Sequence, residues 1–310
     1  MIQVKDITNK LSEFRATGFD KVLSTGSWQL DNHLRLLKGY PWFIGGQPYH
    51  GKTEVAMELL MKWSLLYNWR HYVYMGEGGD IHEIVADLCR KLVGKDYVVN
   101  SNNPMTESER MYAEMFISEH FYFSDPDQTL TYQGFISEVA KAEDILGFKF
   151  DTTVIDPFND IEYDLGKYSN ITYWLKDVLR EVRISSKRNN RIDILIVHVA
   201  ETQPAKDPDT GLMYIPPALP SQWEGGKVWN RRAFVQLNVY RNSRGETEII
   251  VNKAKPKQVK MYPSDKGLRC VWSWDWKRNR YFENAGGEKV EILDPPKPPQ
   301  ERAFKSDWEY

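Results

Sequence analysis

Apolar positions along this chain recur with two periods. Trp42-Phe43-Ile44 is a short apolar run that reads as a buried strand, ending in a turn from Gly45 to Gly51. From Thr53 to Trp69 the period becomes helical, with Val55, Ala56, Leu59, Leu60 and Trp63 on one face. The same alternation predicts strands at His71–Met75, around His120–Phe123, at Thr152–Ile155 ending at Asp156, and at Ile192–Val197. Between them it predicts helices at Ile81–Val93, Met111–His120, Gln133–Ile145 and Ile171–Ser186. Continuous apolar strands alternating with amphipathic helices imply βαβ units and a mainly parallel sheet covered on both faces.

From Phe234 the pattern is that of hairpins. Phe234–Tyr240 and Thr247–Asn252 flank the turn Asn242-Ser243-Arg244-Gly245, and Cys270–Trp276 follows. Ahead of the α/β unit, Val4, Ile7, Leu11 and Phe14 form one apolar stripe on a short helix. That stripe either packs on its own domain or docks on a neighbouring subunit. The segment Glu201–Gly226 is proline-rich with no sustained period; long loops of this kind are functional or disordered. The expected layout is an N-terminal helix over 1–20, one α/β domain over 21–290, and a Pro-rich tail over 291–310 that ends in acids and aromatics.

Composition narrows the class. With 41% hydrophobic and 27% charged residues in 310, the chain is too apolar to be disordered. A net charge of −2 rules out a global polycation, so any nucleic-acid site must be a local patch. Residues 227–260 supply one: nine Lys/Arg against Glu246 and Glu248, with Trp223 and Trp229 nearby. This run is a solvated face, a polyanion groove or a subunit-interface cluster. Cys89 and Cys270 are too few for a disulfide scaffold or a Cys-built zinc site, and the six histidines lack metal-ligand spacing. No apolar run approaches the ~18–20 residues of a membrane span. The first residues have the layout of neither a signal nor a transit peptide. The expectation is a soluble cytoplasmic protein with no membrane partner.

Gly46-Gln47-Pro48-Tyr49-His50-Gly51-Lys52-Thr53 matches the phosphate loop G-x-x-x-x-G-K-[ST], in the required place between a strand and a helix. Such a loop turns backbone N–H groups around a triphosphate, aims the helix N-terminus at it and sets a lysine on the β/γ-phosphates. Thr53 and the strand-end acid Asp156 then become candidate Mg²⁺ holders; the plainer role for Asp156 is a helix cap before Pro157. Glu77, among Gly76, Gly78 and Gly79 after a strand, is a candidate base for the attacking water or a turn-capping acid. His198, also at a strand end, is a core residue or a γ-phosphate sensor.

In this order the motifs resemble the DnaB-type hexameric replicative helicases with a RecA-like motor, nearest to the Twinkle-like helicase domains of phage and mitochondrial helicase-primases. The resemblance covers residues 22–282. It is carried by Ser24-Thr25-Gly26 through Leu30-Asp31, the phosphate loop, Tyr74-Met75-Gly76-Glu77, Val154-Ile155-Asp156-Pro157-Phe158-Asn159 and Val197-His198-Val199. It extends to Gly211–Pro216 and to Gly225-Gly226-Lys227-Val228-Trp229-Asn230.

The resemblance implies a RecA-like P-loop NTPase fold with C-terminal antiparallel strands, and Mg·ATP hydrolysis with Lys52, Glu77 and His198 in catalytic roles. It further implies a homohexameric ring on single-stranded DNA, contacted by Lys206, Tyr214, Lys227, Arg231 and Arg232. Arg241 and Trp274 (or Trp276) fall where the nucleotide base is packed. The family's Lys-x-Arg pair, whose arginine reaches a neighbour's γ-phosphate, aligns with Lys253-Ala254-Lys255, and strand alternation would put both lysines on one face. A lysine there keeps the charge but loses the planar fork. The tail Ser306–Tyr310 has the character of a docking peptide for a replisome partner such as a polymerase or primase. No primase-like segment precedes the motor in these residues. The alternatives are a RecA-like DNA-binding ATPase (recombinase or regulatory) that does not unwind, and a nucleotide-dependent scaffold or loader.

Overall fold

The computed structural model describes residues 3–18, 22–164, 166–199, 202–206, 211, 213–256, 261, 263–264 and 269–294. Helix α1 (Thr8–Thr17) comes first, followed by β1 (Trp42–Gly46), α2 (Lys52–Tyr67), β2 (His71–Met75), α3 (Ile81–Val93) and α4 (Glu107–His120). Next are β3 (Phe121–Phe123), α5 (Tyr132–Leu146), β4 (Thr152–Asp156), α6 (Ile171–Asn189) and β5 (Ile192–His198). A two-stranded ribbon follows, β6 (Ala205–Lys206) with β7 (Met213–Tyr214), then the short helix α7 (Val228–Arg232). The chain then turns to β8 (Val235–Arg241), β9 (Thr247–Lys253), β10 (Cys270–Asp275), β11 (Arg280–Ala285) and β12 (Glu288–Glu291).

Among the described residues, ten strands form one sheet in the order β12-β11-β10-β9-β8-β1-β5-β4-β2-β3. The half from β8 to β3 is parallel and the half from β9 to β12 antiparallel, as the change of pattern at Phe234 predicts. Alternation along β1 sends Trp42 and Ile44 to one face, where they meet α2, α3 and α4. Phe43 goes to the other face, into a second cluster with α5, α6 and α7. Both faces are therefore covered, and even the polar residues of these strands, such as Asp193, Gln236 and Asn238, are buried. The C-terminal ends of β1, β2, β4 and β5 share one edge, and the phosphate loop rises from it.

Element types agree with the pattern, and boundaries move by a few residues. The last hairpin, β11 and β12, was not in the pattern, because its Arg280, Glu283 and Asn284 break the apolar alternation. Glu283 has a structural use: its carboxylate accepts hydrogen bonds from the Ser27 hydroxyl and from the Trp28 and Gln29 N–H groups. Asp31 holds Ser24 and Thr25, and Trp63 on α2 donates to the Thr25 carbonyl, so the entry motif is a clasp between α2 and β11.

One boundary is moved, and two expectations that were left open are narrowed. No residue of Val4–Thr17 is buried, with Val4, Leu11 and Phe14 at least 45% exposed, so the N-terminal stripe does not enter its own domain's core. The domain boundary at 290 falls too early: Ile292 and Leu293 are wholly buried, and Ile292 N–H donates to the Tyr281 carbonyl. The stretch after Glu201 contains the β6–β7 ribbon, Ala205 opposite Tyr214 and Lys206 opposite Met213. The tail Ser306–Tyr310 lies outside the described residues.

Candidate active site

The phosphate loop follows from backbone constraints at two glycines. A Cβ on Gly46 would sit 2.2 Å from the Val239 carbonyl oxygen of the adjacent strand. Gly51 has φ +86°, and a Cβ there would lie 2.9 Å from the Tyr281 hydroxyl. Helix α2 starts at Lys52, so its first N–H groups open onto the loop. Lys52 itself is 6% exposed, and its Nζ donates to the Gln47 carbonyl at 3.1 Å. Burial lowers its pKa, against the opposing pull of Asp156 and Glu77. The loop stores a cation beside a carbonyl that a phosphate oxygen would outcompete.

Thr53 Oγ1 donates to Asp156 Oδ2 at 2.6 Å. Asp156 closes β4 and is not a helix cap; Pro157 caps the 3-10 turn Phe158–Asp160 instead. Burial pushes the Asp156 carboxyl up to about 6, while the Thr53 hydroxyl and Lys52 pull it down. A hard cation between these two oxygens would relieve that desolvation, and hydroxyl plus carboxylate is a donor set suited to Mg²⁺. The residues present therefore fit the metal.

Glu77 follows β2 and His198 closes β5, and the fold brings them together with Glu77 Oε2 3.4 Å from His198 Nε2. They line one cavity of about 1080 Å³ with Lys52, Thr53, Asp156 and Arg241. Pro48, Tyr49 and Gly51 also face it; Gln47 turns away, its amide donating to the Thr202 hydroxyl. His50 accepts the Arg241 N–H through Nδ1 at 3.1 Å, and burial followed by Lys52 and Arg241 lowers its pKa. Arg241 Nε is buried without a partner among the described residues, a donor that an anion in the cavity would satisfy.

Asp160 is a carboxylate beside the site that sequence reasoning missed. Its Oδ2 lies 2.9 Å from where a Cβ on Gly76 would be, and burial, then Glu77, raises its pKa while His198 lowers it. Only a carboxylate four residues past Asp156 marks it in sequence, and such acids are common in turns.

Other expected residues lie elsewhere. Trp274 is not in the cavity wall; it packs on Tyr281 with ring centroids 4.7 Å apart, under the Lys91 ammonium. Trp276 is exposed. Trp223 and Trp229 are 1% exposed in the core and offer no surface for stacking bases; Trp223 fills the space that Gly45 leaves by lacking a Cβ. Lys206 and Tyr214 are on the exposed β6–β7 ribbon, and Lys227, Arg231 and Arg232 are exposed around α7.

Lys253 and Lys255 do not share a strand face, because β9 ends at Lys253. Lys253 Nζ is bound to the Asn230 carbonyl of the same chain, whereas Lys255 is exposed beyond the strand. Because β9 runs antiparallel to β8, with Gln236 opposite Lys253 and Arg241 opposite Thr247, Lys253 sits roughly 17 Å along the strands from Arg241. Neither lysine lines the cavity.

Substituting Lys52 by Ala should weaken nucleotide binding by about a hundredfold or more, since truncating one partner of a desolvated charge pair costs ~2–5 kcal/mol. Titration with a fluorescent ATP analogue measures it; binding within threefold of the parent would remove Lys52 from the phosphate contact.

No helix among the described residues is long and apolar enough to cross a membrane. No protein-family model matches the sequence, and no curated protein matches it. Solved structures do. The chain is similar to a solved ATPase domain, with 13% identity and a TM-score of 0.67 over 91% of this chain and 98% of that one. A DnaB-like replicative helicase, described with its interactions with primase, aligns at 12% identity and TM-score 0.61 over 79% of this chain and 59% of its own length. The RadB recombinase aligns at 15% identity and TM-score 0.51, over 83% and 97% respectively. With the phosphate loop, strand-end acid and paired glutamate and histidine on one sheet edge, the chain has the RecA-like P-loop fold, and an ATPase domain, a DnaB-like replicative helicase and the RadB recombinase are among its structural neighbours.

Proposed function

We propose that this protein hydrolyses Mg·ATP at the interfaces of a homo-oligomeric ring and uses the energy to translocate on single-stranded DNA as a replicative-type helicase motor. The observation that carries the ATPase part is the convergence of Lys52, Thr53–Asp156 and Glu77–His198 on one cavity. Lys52 would take the β/γ-phosphates, relinquishing the Gln47 carbonyl. Thr53 and Asp156 would hold Mg²⁺, which when bound supplies neutralisation of phosphate charge. Glu77 would orient the attacking water and accept its proton, with His198 holding the carboxylate and sensing the γ-phosphate.

The similarity to DnaB-like helicase domains supports the ring and the DNA. So do the exposed cations Lys206, Lys227, Arg231 and Arg232, which follow the strand carrying His198. The exposure of Lys255 beyond the end of β9, outside the wall of its own cavity, supports a site completed by a neighbour. The reading is tested by ATP turnover with and without oligo(dT), unwinding of a forked duplex, and particle images with an ATP analogue. Open filaments with DNA-stimulated turnover but no unwinding would move it to the recombinase class, to which RadB belongs. Absence of turnover would leave only a nucleotide-held scaffold.

Deleting Pro208–Tyr214 should abolish DNA stimulation while leaving basal turnover. The deletion removes β7 and its exposed Met213 and Tyr214, but no residue that lines the cavity. Equal stimulation in the deletion would place the DNA contact elsewhere.

A further inference from the structure

Asn159 takes no part in the chemistry above, yet it joins three segments. It lies in the turn after β4, and its Oδ1 accepts the backbone N–H of His198 at 2.8 Å. Its Nδ2 donates to Glu224 Oε2. Only the oxygen of an amide accepts and only the nitrogen donates, so the two bonds together set its orientation. Glu224 is tied to the same strand end, its N–H donating to the His198 carbonyl at 3.4 Å, beside the bridge between Val199 and Trp223. The Glu224 carbonyl accepts Nε1 of buried Trp229 at 2.5 Å, which anchors it on α7. That helix carries the exposed Arg231 and Arg232, with Lys227 at its start.

A continuous hydrogen-bonded path therefore runs from an exposed basic helix through Glu224 and Asn159 to the backbone of His198, whose ring faces Glu77. We infer that Asn159 is a positioning residue that couples a polyanion held at Lys227, Arg231 and Arg232 to the His198–Glu77 pair by way of Glu224. This rests on the ATPase and DNA reading above. Displacing α7 by a bound phosphate backbone pulls on Glu224. Through the Asn159 amide, that pull shifts the end of β5 and with it the histidine beside the proposed base. The link is short and polar at both ends, and each bond has one donor and one acceptor, so a single change of sign breaks it.

The test uses that polarity. Asn159→Asp keeps an acceptor for His198 N–H but sets a carboxylate against Glu224; adding Glu224→Gln restores a donor to the aspartate. Turnover is measured at saturating ATP with and without oligo(dT), together with KM for ATP. Asn159→Asp should cut the DNA stimulation at least fivefold, with KM for ATP within twofold of the parent. Asn159→Asp with Glu224→Gln should recover at least half of the stimulation, and Glu224→Gln alone should retain it, because its amide oxygen still accepts from Asn159. A merely structural role would move KM for ATP and the turnover without DNA along with the stimulation.

Glu224 is exposed, so Glu224→Ala removes the link without disturbing the core and should lose stimulation to the same extent even if Asn159→Asp fails to fold. Full stimulation in Glu224→Ala or Asn159→Asp, or no recovery in the folded double variant, would overturn the inference. A parent protein that hydrolyses ATP and binds oligo(dT) with neither affecting the other would overturn it as well and leave the ATPase reading standing. A parent that does not hydrolyse ATP would sink the reading and this inference with it.

Discussion

Glu77→Gln should bind ATP as tightly as the parent and hydrolyse it about 10²–10⁴-fold more slowly, the usual worth of a positioned general base. The amide keeps the volume and one hydrogen-bonding oxygen, so the cavity wall and the approach to His198 Nε2 survive. What is lost is the capacity to accept a proton. The geometry that makes Glu77 the candidate is its position on the sheet edge, one strand over from Asp156 and facing His198 at 3.4 Å. Asp156 is unavailable as a base because Thr53 Oγ1 occupies its Oδ2 and a cation would take the rest. Single-turnover kinetics with a separate measurement of ATP affinity gives the answer. Turnover equal to the parent's would transfer the role to Asp160, a carboxylate coupled to both Glu77 and His198.

Lys255→Ala should nearly abolish turnover while leaving ATP affinity within a few-fold. An arginine delivered in trans is worth ~10³–10⁵ in rate. A lysine should give less, as it donates from a point charge and not a planar fork. Lys255 is the better candidate of the pair for a structural reason: Lys253 is spent on the Asn230 carbonyl and its pKa is lowered, first by burial and then by Lys255. Lys255→Arg should be tolerated or faster. The decisive arm mixes Lys255→Ala with Glu77→Gln subunits, each inactive alone. An interface pairing the intact glutamate of one with the intact lysine of the other should regain activity. No complementation, together with full activity of Lys255→Ala, would defeat a neighbour-completed site.

These effects concern residues of very unequal legibility. The phosphate loop could be read directly, because its glycines, lysine and threonine must be contiguous for the backbone to wrap a triphosphate. Most strands of the parallel half were equally plain, since burial on both faces leaves largely apolar or β-branched runs. The last hairpin was not, because β11 spends Arg280 and Glu283 on buried polar contacts that erase its alternation. The aromatics of the basic stretch misled for a related reason. Trp223 and Trp229 follow a proline-rich loop, and sequence offers no sign that Gly45 leaves a slot for one of them.

What sequence alone determined is therefore local: the βαβ order, the phosphate loop, and the acid and the histidine at strand ends. Each is a property of contiguous residues and of the period at which they recur. Tertiary structure decided which distant residues meet. Parallel pairing of β2 with β4 and of β4 with β5 sets three strand ends level, and that register, not any motif, puts Glu77 against His198 and both near Asp156. It also seats Asp160 and Asn159 beside them, spends Lys253 within its own chain, and leaves Lys255 exposed beyond the end of β9. The physical reason is that a side chain's chemistry is written at its position, while its partners are chosen by strand order and by the turns that close each crossover.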